Sequence, residues 1–309
     1  MNFKSKTYRS NGKLLLSGEY VVLDGAKALA IPTKYGQSLT VEENDTYSII
    51  WRSYDDKGEL WFKDEFTLEE IATSQNIEIR NDISNRLIQI IKAAQDLNPE
   101  FLNSNQGYNI ATHLDFNRKW GLGTSSTLIN NVANWAKINA YQLLNKTFGG
   151  SGYDIACAEH NTPITYQLKQ PESPLIEPIT FNPVFKNQLY FVYLNQKQNS
   201  RDGIKAYKAL NKVSHATIES INGITDAMIN CSSLDSFERL ITTHESIIAD
   251  LINQPTITSK LFNDYHLGEI KSLGAWGGDF VLATSKTDPS GYFKSKGLDV
   301  VIPYTEMVL

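Results

Sequence analysis

The sequence predicts an α+β protein built in two layers, and three observations carry that prediction. Tyr108, Ile110, Thr112, Leu114 and Phe116 alternate with the period of two expected of a half-buried strand. Leu128, Val132, Ala136, Ala140 and Leu143 then recur at the spacing of one helix face. Beyond residue 189, apolar runs of strand composition alternate with helical patterns.

In chain order, strands are expected around Lys13 to Ser17 and Leu29 to Pro32, joined through the Asp24-Gly25 turn, and a helix over 83–95. The strand that ends at Phe116 leads into Asn117-Arg118-Lys119-Trp120-Gly121-Leu122-Gly123-Thr124-Ser125-Ser126, a turn that opens the next helix. Ile164 to Leu168 reads as a strand, and the proline-containing stretch from Pro171 to Pro183 is the best place for a domain boundary. That boundary divides the chain into 1–183 and 184–309. The second part is expected to hold a strand at 189–194, helices near 203–213, 215–230 and 234–252, and strands near 280–284 and 298–302.

The turn at 117–126 has the composition of a phosphate-binding loop. Glycines let the backbone approach a polyphosphate, and the unpaired N–H groups of the helix's first turn favour an anion. Thr124, Ser125 and Ser126 add hydroxyls for phosphate oxygens or a magnesium ion. The turn ends its six-residue window in Ser126, so it is no dinucleotide fingerprint, and it lacks the Gly-Lys-Ser/Thr ending of a Walker loop. Taken alone it also fits a plain connector with a serine cap.

Composition narrows the classes. With 309 residues, 41% hydrophobic and 20% charged, the chain is long enough for two ordinary domains and has the make-up of a soluble globular protein. A net charge of −5 argues against a broad nucleic-acid face but permits a local basic pocket from Lys13, Arg118, Lys119, Lys197 and Arg201. No stretch approaches about 20 apolar residues, and Leu14-Leu15-Leu16 is too short for a signal-peptide core, so neither membrane insertion nor export is expected. Cys157 and Cys231 have no partner at metal spacing and read as reduced thiols of a cytoplasmic protein. The five histidines form no close metal pair.

Three further segments bracket the turn: Gly12-Lys13-Leu14-Leu15-Leu16-Ser17-Gly18-Glu19-Tyr20, Gly150-Ser151-Gly152-Tyr153-Asp154-Ile155-Ala156, and Gly274-Ala275-Trp276-Gly277-Gly278-Asp279. They stand in the order of the motifs of the GHMP small-molecule kinases, and the chain resembles that superfamily from end to end. Within it, Gly18-Glu19-Tyr20, Arg118-Lys119-Trp120 before Gly121-Leu122-Gly123, and Gly277-Gly278-Asp279 are most similar to bacterial phosphomevalonate kinase. Gly152-Tyr153-Asp154-Ile155-Ala156 looks like the signature of the GYDIA-type group. The resemblance implies a ribosomal-protein-like βαβ N-terminal domain, a ferredoxin-like C-terminal domain, and an active site in the cleft between them. It implies ATP and Mg2+ as cofactors, a small-molecule phosphoryl acceptor as partner (phosphomevalonate, or mevalonate as runner-up), and it allows a homodimer.

Roles follow residue by residue. Asp154 would orient or deprotonate the attacking oxygen, with Lys13 stabilising the transferring charge; Asp154 could equally cap the short helix that begins at Ile155. Gly121, Leu122, Gly123, Thr124, Ser125 and Ser126 would hold nucleotide, and Ser125 matches the position contributing to the magnesium site. Glu19 matches a motif glutamate, at the nucleotide or in a salt bridge supporting its loop. Ser151, Gly152, Lys197, Arg201, Gly274, Ala275, Gly277 and Gly278 would face substrate, although Lys197 and Arg201 also suit a solvated loop. Trp276 replaces a usual glycine and is expected to pack rather than to narrow the cleft. One departure is large: Ser125 and Asp154 are only 29 positions apart, and Asn130 to Ser151 contains no carboxylate, whereas mevalonate kinases carry a metal-binding glutamate there. Either magnesium is held by Ser125, nucleotide and water, or the chain is a non-catalytic sensor or scaffold of the same fold.

Overall fold

Local sequence sets the starts of several helices in the computed structural model, which describes residues 5–73, 80–103, 106–169, 173–197, 200–210 and 213–309, without the side chains of Ser200 and Arg201. The first half runs β1 (Ser5–Leu15), β2 (Ala28–Asn44), β3 (Ser48–Tyr54), β4 (Leu60–Thr67), α1 (Leu68–Thr73), α2 (Asp82–Leu97), β5 (Gly107–Leu114), α3 (Thr124–Ala136), α4 (Ala140–Thr147) and α5 (Tyr153–Glu159). The second runs β6 (Ile164–Gln167), β7 (Leu175–Pro178), β8 (Leu189–Tyr193), α6 (Ser200–Lys208), α7 (His215–Ile229), α8 (Leu234–Leu251), α9 (Ile257–Leu261), β9 (Ile270–Ser272), β10 (Phe280–Thr284), α10 (Ser290–Ser295), β11 (Val301–Pro303) and α11 (Tyr304–Met307). Side chains of Asn81, Asn139, Ser214 and Ser233 cap α2, α4, α7 and α8 by accepting first-turn N–H groups.

By packing, the chain falls into two discontinuous units. One holds 1–12, 35–118 and 123–159; the other holds 13–34, 119–122 and 160–309. A single cut near 183, the boundary expected above, does not separate them, because β1 and β2 each run through both units. Residues 171 and 172 of that expected boundary lie outside the described residues.

In the first unit, β3 pairs β4 antiparallel and β5 parallel, and β5 pairs residues 37–44 of β2 antiparallel. Parallel strands need a long crossover, and here it carries α2. That helix buries Leu87, Ile88, Ile90, Ile91 and Ala94 on one face and packs against α3 and α4. Hydrogen bonds seat α3. Thr127 Oγ1 donates to Gln37 Oε1 (2.8 Å), Asn131 Nδ2 to the Gln37 carbonyl (2.9 Å), and Ser10 Oγ to Asn131 Oδ1 (2.8 Å). A helix tied this way by buried groups holds its N-terminus in place.

In the second unit, residues 28–30 of β2 pair β6, which pairs β7. A separate antiparallel sheet has the order β11-β8-β10-β9. Its core gathers Val192, Phe262, Ile270, Val281, Ala283 and Phe293, and α8 packs on β9.

Three expectations are corrected. The single helix expected from Leu128 to Leu143 is two, α3 and α4. Lys137 turns left-handed (φ 55°), the Ile138 N–H reaches back to the Ala133 carbonyl, and Asn139 caps a new helix. The β3–β4 hairpin and β7 were not anticipated. The last strand occupies 301–303 rather than 298–302.

Candidate functional site

Helix α3 opens at Gly123, whose φ of 98° lets the chain turn sharply from the preceding residues into the helix. The first intrahelical bond returns from the Thr127 N–H to the Gly123 carbonyl, so the N–H groups of Thr124, Ser125 and Ser126 have no partner one turn back. The three hydroxyls separate. Ser126 is buried and donates to the Gly123 carbonyl at 2.9 Å, a local capping bond. Thr124 is half-buried and Ser125 exposed. Ser125 is thus the outward hydroxyl at the positive end of a 13-residue helix dipole.

In the same unit, Gly150 (φ 114°) and Gly152 (φ 87°) lead into α5, which packs on α3. Asp154 is the second residue of α5, two beyond Gly152 at the position a capping side chain takes, and its Oδ1 accepts the Ile155 N–H at 3.0 Å. An acidic group in a first turn is favoured by the dipole. Asp154 is half-buried and Ser151 buried.

The other unit carries Lys13, Gly121 and Leu122. At the end of β1, the Lys13 N–H donates to the Leu122 carbonyl and Nζ to the Gly121 carbonyl, both at 2.9 Å. Asp279 closes on the same backbone, its carboxylate lying where a β-carbon on Gly121 would be. Lys13, Trp120, Gly121, Leu273, Gly274 and Asp279 line one narrow cavity. Gly274 (φ 67°) and Gly277 (φ 80°) shape the loop that carries Asp279. Trp276 in that loop is packed, as expected. It is 8% exposed, lies against Val21, Ile221 and Ile248, and donates Nε1 to the Pro255 carbonyl.

Glu19 is placed in the interior, which favours the supporting role over contact with nucleotide. Its carboxylate is bonded to Lys271 Nζ, with both side chains at 0% exposure. Its other oxygen lies 3.4 Å from His244 Nε2. The Gly18 N–H donates to that same Nε2, so the neutral ring carries its proton on Nδ1. Burial pushes the Glu19 carboxyl up, opposed by Lys271, and holds the His244 imidazole well below its usual range. Glu245 completes the group, accepting from the N–H groups of Ile257 and Ser272 and from Ser272 Oγ.

Lys197 is exposed in the loop after β8, and Arg201 lies in the first turn of α6 with its side chain outside the described residues. Asp279 ends the Gly277-Gly278-Asp279 motif, whereas Lys271 and His244 belong to no motif of the sequence. The one local signal for them is a lysine inside the apolar run Ile270-Lys271-Ser272-Leu273, where an unpaired charge would not be buried. Among the described residues, no helix is long and apolar enough to cross a membrane.

No model of a known protein family matches the chain, and no curated protein sequence matches it. Solved structures do. The chain is similar to mevalonate kinase of Methanococcus jannaschii, at 15% identity and a TM-score of 0.68 over 97% of each chain. It is similar to Streptococcus pneumoniae phosphomevalonate kinase in complex with phosphomevalonate and AMPPNP, at 16% identity and 0.66 over 98% of each. Lactococcus lactis galactokinase complexed with galactose matches at 12% identity and 0.67, over 94% of this chain and 88% of that one. At such identities the likeness is one of fold, and the chain has the GHMP-kinase fold over nearly its whole length.

Proposed function

We propose that this chain is an ATP- and magnesium-dependent kinase of the GHMP superfamily that transfers the γ-phosphoryl group to a small acidic metabolite. The observation that carries the reading is the start of α3, where Gly123, three first-turn N–H groups without a helical partner and the exposed Ser125 hydroxyl present the chemistry of a polyphosphate site. Phosphoryl transfer asks a protein mainly for positioning and charge neutralisation. Lys13 supplies a cation beside the Gly121 backbone, and Asp154 supplies a half-buried carboxylate to orient or deprotonate the attacking oxygen. The oxygen donors suit Mg2+, which keeps several waters: Ser125 would hold it together with nucleotide oxygens, and the ion would neutralise charge on the phosphates. Gly121 and Leu122, with Thr124 and Ser126, form the remainder of the nucleotide site. The acceptor would be faced by Ser151, Gly152, Lys197, Arg201 and the loop of Gly274, Ala275, Gly277 and Gly278.

Among acceptors, phosphomevalonate comes first and mevalonate second, supported by the Gly18-Glu19-Tyr20 and Gly277-Gly278-Asp279 motifs and by the fold neighbours that act on these acids. Incubation of the protein with ATP, Mg2+ and a panel of phosphomevalonate, mevalonate and galactose, followed by ADP release, tests this. Release with phosphomevalonate is expected. Release with galactose alone overturns the acceptor class. A second reading, a non-catalytic nucleotide and metabolite binder, is favoured by the lack of any carboxylate from Asn130 to Ser151, and ATP binding without turnover of any acceptor would establish it.

A further inference from the structure

Tyr20 takes φ 62° and ψ −52°, a conformation that residues with large side chains rarely adopt. Such strain persists where surrounding contacts over-determine it. Three do so here. The Tyr20 hydroxyl accepts the backbone N–H of Trp276 at 3.0 Å, in the middle of the last glycine loop. Its ring stacks on Tyr207 of α6, with centroids 5.5 Å apart and planes 23° from parallel. Gly203, one turn earlier on α6, comes so close that a β-carbon there would lie 2.9 Å from the same hydroxyl oxygen.

Each neighbour is anchored in turn. Tyr207 is buried and donates its hydroxyl to Asp24, at the end of the 3-10 turn that follows Tyr20. The Trp276 indole is fixed in the apolar cluster of Val21, Ile221 and Ile248. The residue before Tyr20, Glu19, is bonded to Lys271 on the strand that leads into the same loop. One phenol therefore touches both segments, and α6 cannot shift toward it without displacing the oxygen that receives the Trp276 N–H.

We propose that Tyr20 is a positioning residue that couples α6 to the 273–279 loop, so that the two respond as one element. Its functional meaning rests on the kinase reading: α6 starts at the segment expected to meet the acidic acceptor, and the loop carries the glycines expected to close on it. The coupling itself is a property of the fold and can be read without turnover.

Tyr20→Phe removes the hydroxyl and keeps the stacked ring. Amide hydrogen exchange should quicken at residues 274–277 by about fivefold to tenfold, the worth of one net hydrogen bond, and residues 202–208 should quicken with them while 244–248 of α8 do not change. Faster exchange in the loop with α6 unaltered, or no change in either, overturns the coupling. Should Tyr20→Phe fail to fold, Gly203→Ala pushes on the intact hydroxyl from the helix side, and an unaltered Trp276 amide then overturns it. With an acceptor that is turned over, Tyr20→Phe should raise the acceptor KM about tenfold with ATP affinity nearly constant. An unaltered KM overturns the functional coupling, whereas absence of turnover in the parent overturns the kinase reading and leaves the exchange result to decide the coupling.

Discussion

Asp279 holds its carboxylate against the α-carbon of Gly121: a β-carbon built there would lie 2.2 Å from the carboxylate carbon. Gly121 also has φ 66°, so two independent reasons exclude a side chain. Gly121→Ala is expected to destabilise the protein by about 2 kcal/mol, part from the left-handed backbone and part from displacement of Asp279. Asp279→Ala in the same chain should recover the second part only. Urea unfolding of the two single variants and the double checks this, and an alanine variant as stable as the parent would remove the carboxylate from this position.

Asp154→Asn keeps the side-chain shape and can still accept the Ile155 N–H, so its melting temperature should stay close to that of the parent. Turnover should fall by about two orders of magnitude or more, the range of a lost general base. Lys13→Met should give a similar fall. The double variant should be far from additive if both groups act on one transition state. Stopped-time ADP assays decide; unaltered turnover in Asp154→Asn would remove Asp154 from the reaction and leave it a group of the first turn of α5.

Ser125 and Ser126 should part company under substitution. Ser125→Ala removes an exposed hydroxyl, so stability should change by no more than about 0.5 kcal/mol while the Mg2+ concentration needed for half-maximal turnover rises. Ser126→Ala loses the bond to the Gly123 carbonyl and should cost about 1 kcal/mol with little change in metal dependence. Metal titrations showing the reverse order would reassign the metal hydroxyl.

His244 gives the fold an acid-sensitive term. Burial holds its pKa well below 6.5, whereas the unfolded imidazole protonates near that value. As pH falls below 6.5 the unfolded chain binds more protons, so stability drops by up to about 1.4 kcal/mol per unit. Glu19 and Glu245 act in the opposite sense: burial raises both carboxyls, so their contribution is fullest at low pH and is lost as pH rises. Lys271 faces all three. His244→Gln can keep an acceptor for the Gly18 N–H and removes the titration. Between pH 6.5 and 5.5 the parent should lose about 1 kcal/mol more than the variant in urea unfolding. Parallel pH profiles would count against a neutral buried ring.

What the chain reveals by reading alone is what its neighbours in sequence decide. The strand at 107–114, the glycine turn and the opening of α3 are legible because alternation, glycine and helical spacing follow directly on one another. The break between α3 and α4 is hidden because Lys137, an ordinary helix former, takes the left-handed conformation while the apolar spacing continues across it. In β4, the run Lys63-Asp64-Glu65 masks an alternation that buries only Phe62 and Phe66. The partners of Lys271 and Trp276 are illegible for another reason. The Lys271–Glu19 bond spans 252 positions and the Trp276–Tyr20 bond 256, and no local pattern encodes such partners.

The interleaving of the two units sets a timetable for synthesis. Residues 5–159 contain everything the first unit uses, so it has its full complement once Glu159 has left the ribosome. The second unit is different: Ala28–Ala30 wait for Ile164–Tyr166, and Glu19 waits for Lys271. At about 5–20 residues per second, Glu19 emerges roughly 10–50 seconds before its cation. Through that interval the Gly18-Glu19-Tyr20 segment has no interior to enter, and the unit built around it can close only once β9 has been made.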